Sequence, residues 1–259
     1  MTLTDTIASQ VAVVTGGSKG IGYNIAKALI ARGNRVIIGD ILDKDGKAAV
    51  EEFNANAGKT VAAFAHADVT KYKDIQSMFD LAEKEFGGVD ILIANAGIFS
   101  INHGLAPFDE LDDSNSRIFD VNVSGVIKCN KAALMYMGKR GQGIIINSAS
   151  AGGIYPTPGM CDYAATKHAV VGWTRSLAQL PNQCNVRVNA VCPTWVETDL
   201  ISDGRLPKEF RDFIDATPKA RMEDVVKAYL QCIDDKSLSG TTLSVLPDGI
   251  HIEEPVYRT

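Results

Sequence analysis

The sequence lacks most of what would commit it to a special environment. Its five cysteines, Cys129, Cys161, Cys184, Cys192 and Cys232, are odd in number and contain no C-x-x-C pair. This argues against a disulfide framework or a zinc site and leaves small core or surface residues in a reducing compartment. The histidines, His66, His103, His168 and His251, have no metal-ligand spacing, so no metal site is expected. No run of eighteen apolar residues occurs, and the opening MTLTDTIASQ has neither a basic nor an apolar signal region. The expectation is a cytoplasmic protein with no membrane contact. Positive charge is not in excess: the net charge is −5 and the pI about 5.4, which disfavours a surface for phosphate backbones, so nucleic acid is not an expected partner. No linker, low-complexity tract or internal repeat divides the 259 residues. Length alone allows two domains, but a single domain is the reading preferred.

What is present is alternation. Val11–Val14 is a short β-branched run, followed by a glycine cluster and the helical spacing of Ile21, Ile25, Ala28 and Leu29; that order is strand, turn, helix. Further apolar runs at 36–38, 61–64, 91–93, 144–146, 186–191 and 242–246 alternate with helical patterns near 44–54, 75–86, 118–137, 163–180 and 225–233. Strands this uniformly apolar belong to a parallel sheet covered on both faces. The predicted fold is α/β, a three-layer Rossmann-like doubly wound sheet of about seven strands. Ligands bind such sheets beyond the carboxyl ends of the strands, and the unusual residues of this chain fall there: Gly16–Gly22, Asp40, Asp68-Val69, Asn95-Ala96-Gly97, Asn147–Ser150 and Pro193–Thr198.

Thr15-Gly-Gly-Ser-Lys-Gly-Ile-Gly22 joins the first strand to the first helix. Gly16, Gly20 and Gly22, with Ser18, Lys19 and Ile21 between them, suit a backbone that approaches a pyrophosphate at a helix N-terminus. Asp40, eighteen residues beyond Gly22 at the end of the second strand, can accept the 2′-hydroxyl of NAD and repel the 2′-phosphate of NADP. Lys19 has two open readings, a partner for that phosphate or a solvated turn residue; NAD is the cofactor favoured, NADP the alternative.

Tyr163-Ala-Ala-Thr-Lys167 adds a phenol and an ammonium one helical turn apart. A phenol titrating near ~10 becomes a base at pH 7 only with about 4 kcal/mol of preferential anion stabilisation, which nearby positive charge supplies. With this motif the chain resembles the short-chain dehydrogenase/reductase family over nearly its whole length. T-G-x-x-x-G-x-G, Asp68-Val69, N-A-G at 95–97, Asn122, Ser150, Y-x-x-x-K and Pro193 occur in the family's order and approximate spacing. The resemblance implies hydride transfer between a nicotinamide cofactor and a secondary alcohol or ketone, with Tyr163 exchanging the hydroxyl proton. It further implies that Ser150, rather than Ser148, holds the same oxygen. Lys167 would bind the nicotinamide ribose, and Asn122 would hold a relay water unless it is an ordinary helix residue. Asp68 and Val69 would bracket the adenine, although Asp68 could instead be a cap; Asn95, Ala96 and Gly97 would line the middle of the cofactor, and Pro193, Val196 and Thr198 would cradle its carboxamide. A homodimer or homotetramer through helices near 115–137 and 161–180 is implied likewise. The chain departs from the family at Pro193-Thr194, in place of proline-glycine, and at Pro247-Asp-Gly249, in place of a glycine pair. Cys232–Thr241 with Gly249-Ile-His251 looks somewhat like the prostaglandin-dehydrogenase branch.

Between 198 and 222 the pattern becomes irregular, with Leu200, Ile201, Leu206, Phe210, Phe213 and Ile214 among charges, as in a lid. With Ile154, Tyr155 and Met160 it suggests a lipophilic substrate, or merely packs the lid on the body. Trp173 and Met135 suit packing or a dimer interface. The rival functions are an NADP-dependent carbonyl reductase in a biosynthetic pathway and a non-catalytic, nucleotide-bound scaffold.

Overall fold

In the computed structural model, which describes residues 10–99, 116–198 and 208–254, the apolar runs form one eight-stranded sheet. The strands are β1 (Val11–Thr15), β2 (Arg35–Asp40), β3 (Ala62–His66), β4 (Ile91–Ala94), β5 (Gly143–Ser148), β6 (Val186–Pro193), β7 (Thr242–Leu246) and β8 (Gly249–Glu253). Their order is β3-β2-β1-β4-β5-β6-β7-β8; β1 to β7 are parallel and β8 is antiparallel to β7.

Alternation along each strand builds two cores. Ala12, Val14, Ile91, Ile93, Ile144 and Ile146 face helices Gly20–Ala31, Asp43–Ala57 and Met222–Asp234, where Ile25, Leu29, Phe53 and Tyr229 are buried. Val13, Ile37, Leu92 and Ile145 face helices Tyr72–Phe86, Val126–Arg140 and Cys161–Ser176, where Phe79, Met78, Met137 and Val170 are buried. Inner strands dry on both sides are what their unbroken Val and Ile content requires.

The predicted three-layer Rossmann-like fold is therefore found, with one more strand than the seven expected. Pro247-Asp248 turns the chain so that Gly249–Glu253 pairs back on β7, Leu243 opposite Ile252. The helix expected continuously over 118–137 is instead Ser116–Phe119, a π-helical turn Asp120–Gly125 and Val126–Arg140. The wider turn lets Gly125 lie against Val69, whose Cγ2 would be 2.7 Å from a Cβ there. Part of the expected lid is the helix Lys208–Ala216, with Ile214 buried and Phe213 exposed; Leu200, Ile201 and Leu206 lie outside the described residues, as does His103.

Strand order reverses between β1 and β4, where Thr15 is in register with Ala94. The loops leaving these two strands therefore meet.

Candidate active site

Thr15 and Asn95 lock the two loops together. Thr15 Oγ1 accepts from the backbone N–H groups of Asn95 and Ala96, each at 3.0 Å. Asn95 Nδ2 donates to the Thr15 and Gly16 carbonyls at 3.1 and 3.0 Å. The close fit demands glycine: Gly16 has φ +62°, and a Cβ on Gly22 would stand 2.2 Å from the Gly16 carbonyl oxygen. The N-cap residue of the helix Gly20–Ala31, Lys19, makes no side-chain cap bond to it, which suits first-turn N–H groups that meet an anion.

Asp40 closes this region from β2, its carboxylate accepting from the N–H groups of Ser18 and Leu42, both at 3.1 Å. The Ser18 hydroxyl is buried without a hydrogen-bond partner among the described residues, which marks a place where a polar ligand group completes the structure. Lys19 pairs with Asp45 at 3.1 Å. An uncapped helix end, a glycine cradle, an orphan hydroxyl and a strand-end carboxylate fit a dinucleotide.

Asp68 is engaged locally. Its Oδ1 accepts from the Thr70 N–H and hydroxyl at 3.0 and 2.7 Å, and its Oδ2 meets the Lys71 ammonium at 2.9 Å. The Thr70 hydroxyl, with Lys71 adding to it against burial, holds the carboxyl at about 2. Val69 beside it is buried.

Asn122 is fully buried in the π-helical turn. Its Oδ1 accepts from the Ile98 N–H at 2.8 Å, and its Nδ2 donates to the Ile98 carbonyl at 2.9 Å and to Thr166 Oγ1 at 3.3 Å. The side chain thus pins the loop after Gly97 to the helix Cys161–Ser176.

That helix carries Tyr163 and Lys167. The Lys167 ammonium, nearly fully buried, donates to the Ser148 carbonyl at 2.9 Å and lies 5.5 Å from the centroid of the Tyr163 ring. Burial lowers its pKa to about 8. Burial pushes the Tyr163 hydroxyl up to about 12, with a hydrogen bond from Ser150 pulling the other way. The polypeptide by itself therefore leaves this phenol further from neutrality than the ordinary value used above, because the hydroxyl is dry. Ser150 also accepts from the Gly152 N–H at 3.1 Å, which aims its hydroxyl from the start of a 3₁₀ turn, Ala151–Gly153.

Ser150 and Tyr163 share a cavity of about 290 Å³ with Ile21, Pro193, Val196 and Thr198. Of the sequence-selected residues, Ile21, Ser150, Tyr163, Pro193, Val196 and Thr198 thus line one cavity at the carboxyl edge of the sheet, while the other glycine-loop residues and Lys167 do not line it; a Cβ placed on Gly97 would stand 3.7 Å from Lys167 Nζ.

Three participants were not singled out by sequence. Phe99 and Trp195 line the same cavity; Trp195 sits inside the Pro193–Thr198 segment, a position that could have flagged it. Tyr229, wholly buried, meets Ser148 Oγ at 2.6 Å, and Ser148 Oγ lies 3.2 Å from Asn95 Oδ1. Since the Asn95 amide nitrogen is spent on Thr15 and Gly16, its oxygen must accept from Ser148, and Tyr229 must then donate to Ser148. Ser148 is not on the cavity but is a node: its hydroxyl ties Tyr229 to the glycine loop and its carbonyl holds Lys167. The Trp173 indole N–H donates to Asn130 Oδ1 at 2.9 Å.

Among the described residues no group of His, Cys, Asp and Glu could hold a metal ion, and no helix is long and apolar enough to cross a membrane. A larger groove between helices Gly20–Ala31 and Met222–Asp234 contains none of the sequence-predicted site residues.

Comparison with known proteins agrees with this layout. The profile of the short chain dehydrogenase family matches residues 10–208. The chain is 32% identical to a 3alpha-hydroxysteroid dehydrogenase of Mediterraneibacter gnavus over 92% of this chain and 95% of that one. It is 36% identical to a cis-4-hydroxycyclohexanecarboxylate dehydrogenase of Sinomonas cyclohexanicum, over 86% and 89%. Among solved structures, a 3-ketoacyl-(acyl-carrier-protein) reductase from Brucella melitensis complexed with NADH superposes with a TM-score of 0.81 at 29% identity, covering 93% of this chain and 98% of that one. With sheet order, glycine cradle and sequence similarity in agreement, the chain belongs to the short-chain dehydrogenase/reductase family and is an NAD(P)-dependent oxidoreductase acting on CH–OH groups.

Proposed function

We propose that this enzyme is an NAD-linked dehydrogenase of lipophilic secondary alcohols in which Tyr163 is the acid/base. The observation that carries the proposal is the meeting of Ser150 and Tyr163 in one cavity with Ile21 of the glycine-loop helix, over a buried Lys167.

When bound, the nicotinamide supplies the carbon that exchanges hydride and, oxidised, a positive charge. The chain's residues bind and orient. Gly16, Ser18, Lys19, Gly20, Ile21 and Gly22 hold the pyrophosphate; Asp40 takes the adenosine ribose; Asp68 and Val69 border the adenine; Asn95, Ala96 and Gly97 flank the middle; Pro193, Val196 and Thr198 hold the carboxamide. NAD over NADP is supported by the Asp40 carboxylate and by Lys19, whose ammonium is paired with Asp45 and so less available to a 2′-phosphate.

Tyr163 Oη takes the substrate hydroxyl proton in oxidation and returns it in reduction, while Ser150 Oγ holds the same oxygen. Bringing a phenol from about 12 to neutrality needs about 7 kcal/mol of preferential phenolate stabilisation, and the Lys167 ammonium contributes part. Asn122, whose side chain is engaged with Ile98 and Thr166, would hold a relay water. Apolar Phe99, Met160 and Trp195 around the cavity favour a lipophilic substrate. Exposed Met135 on the 126–140 helix and exposed Phe119 before it support a homo-oligomer through that helix. Tyr163→Phe, assayed separately for turnover and cofactor affinity, tests the reading.

A further inference from the structure

Taking the cavity above as the active site, we propose that its substrate is a neutral, ring-bearing secondary alcohol, held on an aromatic wall of Phe99 and Trp195 and discriminated from carboxylate analogues by Glu253. The wall is built in two layers. Phe99 lies 5.0 Å from the Tyr163 ring and 6.3 Å from Trp195, centroid to centroid. Behind them Phe210, from the helix Lys208–Ala216, packs at 5.9 Å on each. Phe210 does not line the cavity; it backs the two rings that do. Aromatic faces fixed in this way present broad, rigid apolar surface to the C–H bonds of an alicyclic ring, next to the Tyr163 hydroxyl that must reach the alcohol oxygen.

Charge argues separately. None of the described residues lining the cavity is charged, so beside reduced, uncharged nicotinamide an entering carboxylate would lose water without gaining a cation from those residues. Among the described residues, the Lys167 ammonium donates to the Ser148 carbonyl, and Arg175 donates to Thr242 Oγ1 and the Glu253 carbonyl. The charge next to the lining residue Tyr155 is negative. Tyr155, which lines the cavity, donates its hydroxyl to Glu253 Oε1 at 3.0 Å, and Ser244 donates to the same oxygen at 2.6 Å. The antiparallel strand β8 thus places a carboxylate within hydrogen-bond distance of a side chain that lines the cavity, and repulsion adds to the missing counter-charge.

The test is binding in the non-reactive complex of the whole protein with NADH, by calorimetry, using 4-methylcyclohexanol and 4-hydroxycyclohexanecarboxylate. The neutral alcohol is expected to bind at least about tenfold more tightly. Trp195→Ala should cost it about tenfold, Trp195→Phe much less, and Glu253→Gln should narrow the preference by raising affinity for the acid. Equal or tighter binding of the acid, or no binding of the neutral alcohol in the millimolar range, overturns the proposal. Failure of the Tyr163 mechanism is distinguishable, because it would appear in turnover while leaving this binding preference intact.

Discussion

Tyr229 and Ser148, 81 residues apart, share a buried 2.6 Å hydrogen bond in which Tyr229 is the donor. Through it the helix Met222–Asp234 supports Asn95, and through Asn95 the two loops that would hold the cofactor. Tyr229→Phe keeps the ring and removes the donor, a loss worth about 1 kcal/mol. Cofactor affinity is expected to fall about fivefold, with the pH dependence of turnover unchanged. Fluorescence titration with NADH checks this; unaltered affinity would reduce Tyr229 to a packing residue.

Asp40 is nearly buried and accepts two backbone N–H groups. Asp40→Asn removes the charge while keeping the shape, so the ratio of NAD to NADP affinity should move about tenfold toward NADP, about 1.4 kcal/mol. Dissociation constants for both cofactors decide it, and an unchanged ratio would contradict the assigned role.

The Asp68 carboxyl, held at about 2 against 3.8 for the free side chain, contributes stability that is present above pH 4 and lost as the pH falls through 2. Because the side chain is partly exposed, the contribution is discounted to about 1 kcal/mol. Asp68→Asn should destabilise by that amount at pH 7 and by less at pH 3 in urea unfolding; an equal deficit at both would remove the carboxylate's charge as the cause.

Burial lowers Lys167 to about 8, so its proton leaves at lower pH than from a solvated lysine. If its charge supports Tyr163, kcat/KM for ketone reduction, which reports the free enzyme, should fall above about pH 8. Profiles of the wild type and Lys167→Met check this, the variant being low and flat; a wild-type profile flat to pH 10 would separate Lys167 from the chemistry.

The glycine loop, Asp40, and the Tyr163 and Lys167 pair were readable because each depends on local spacing: a strand-turn-helix junction, a strand end, and one helical turn. The layers of the sheet were readable because buried parallel strands cannot alternate with polar residues. Other features arise from packing between distant segments. The π-helical turn at Asn122 depends on Gly125 meeting Val69, and the pairing of Tyr229 with Ser148 depends on which helix crosses β5. Asn122 in sequence looked like a residue for a water; in the fold its amide is consumed by Ile98. The eighth strand is hidden because Pro247-Asp-Gly249 looks like an altered family motif as readily as a hairpin turn. Burial, invisible in a motif, also raised Tyr163 where the i, i+4 lysine alone suggested lowering.

The central claim is that the Tyr163 hydroxyl transfers the substrate proton, and its most direct test is Tyr163→Phe. Turnover of a secondary alcohol, followed by absorbance of the reduced nicotinamide, should fall at least about a hundredfold, while the dissociation constant for NAD stays within about twofold. Turnover comparable to the wild type in a protein that binds NAD normally would contradict the account.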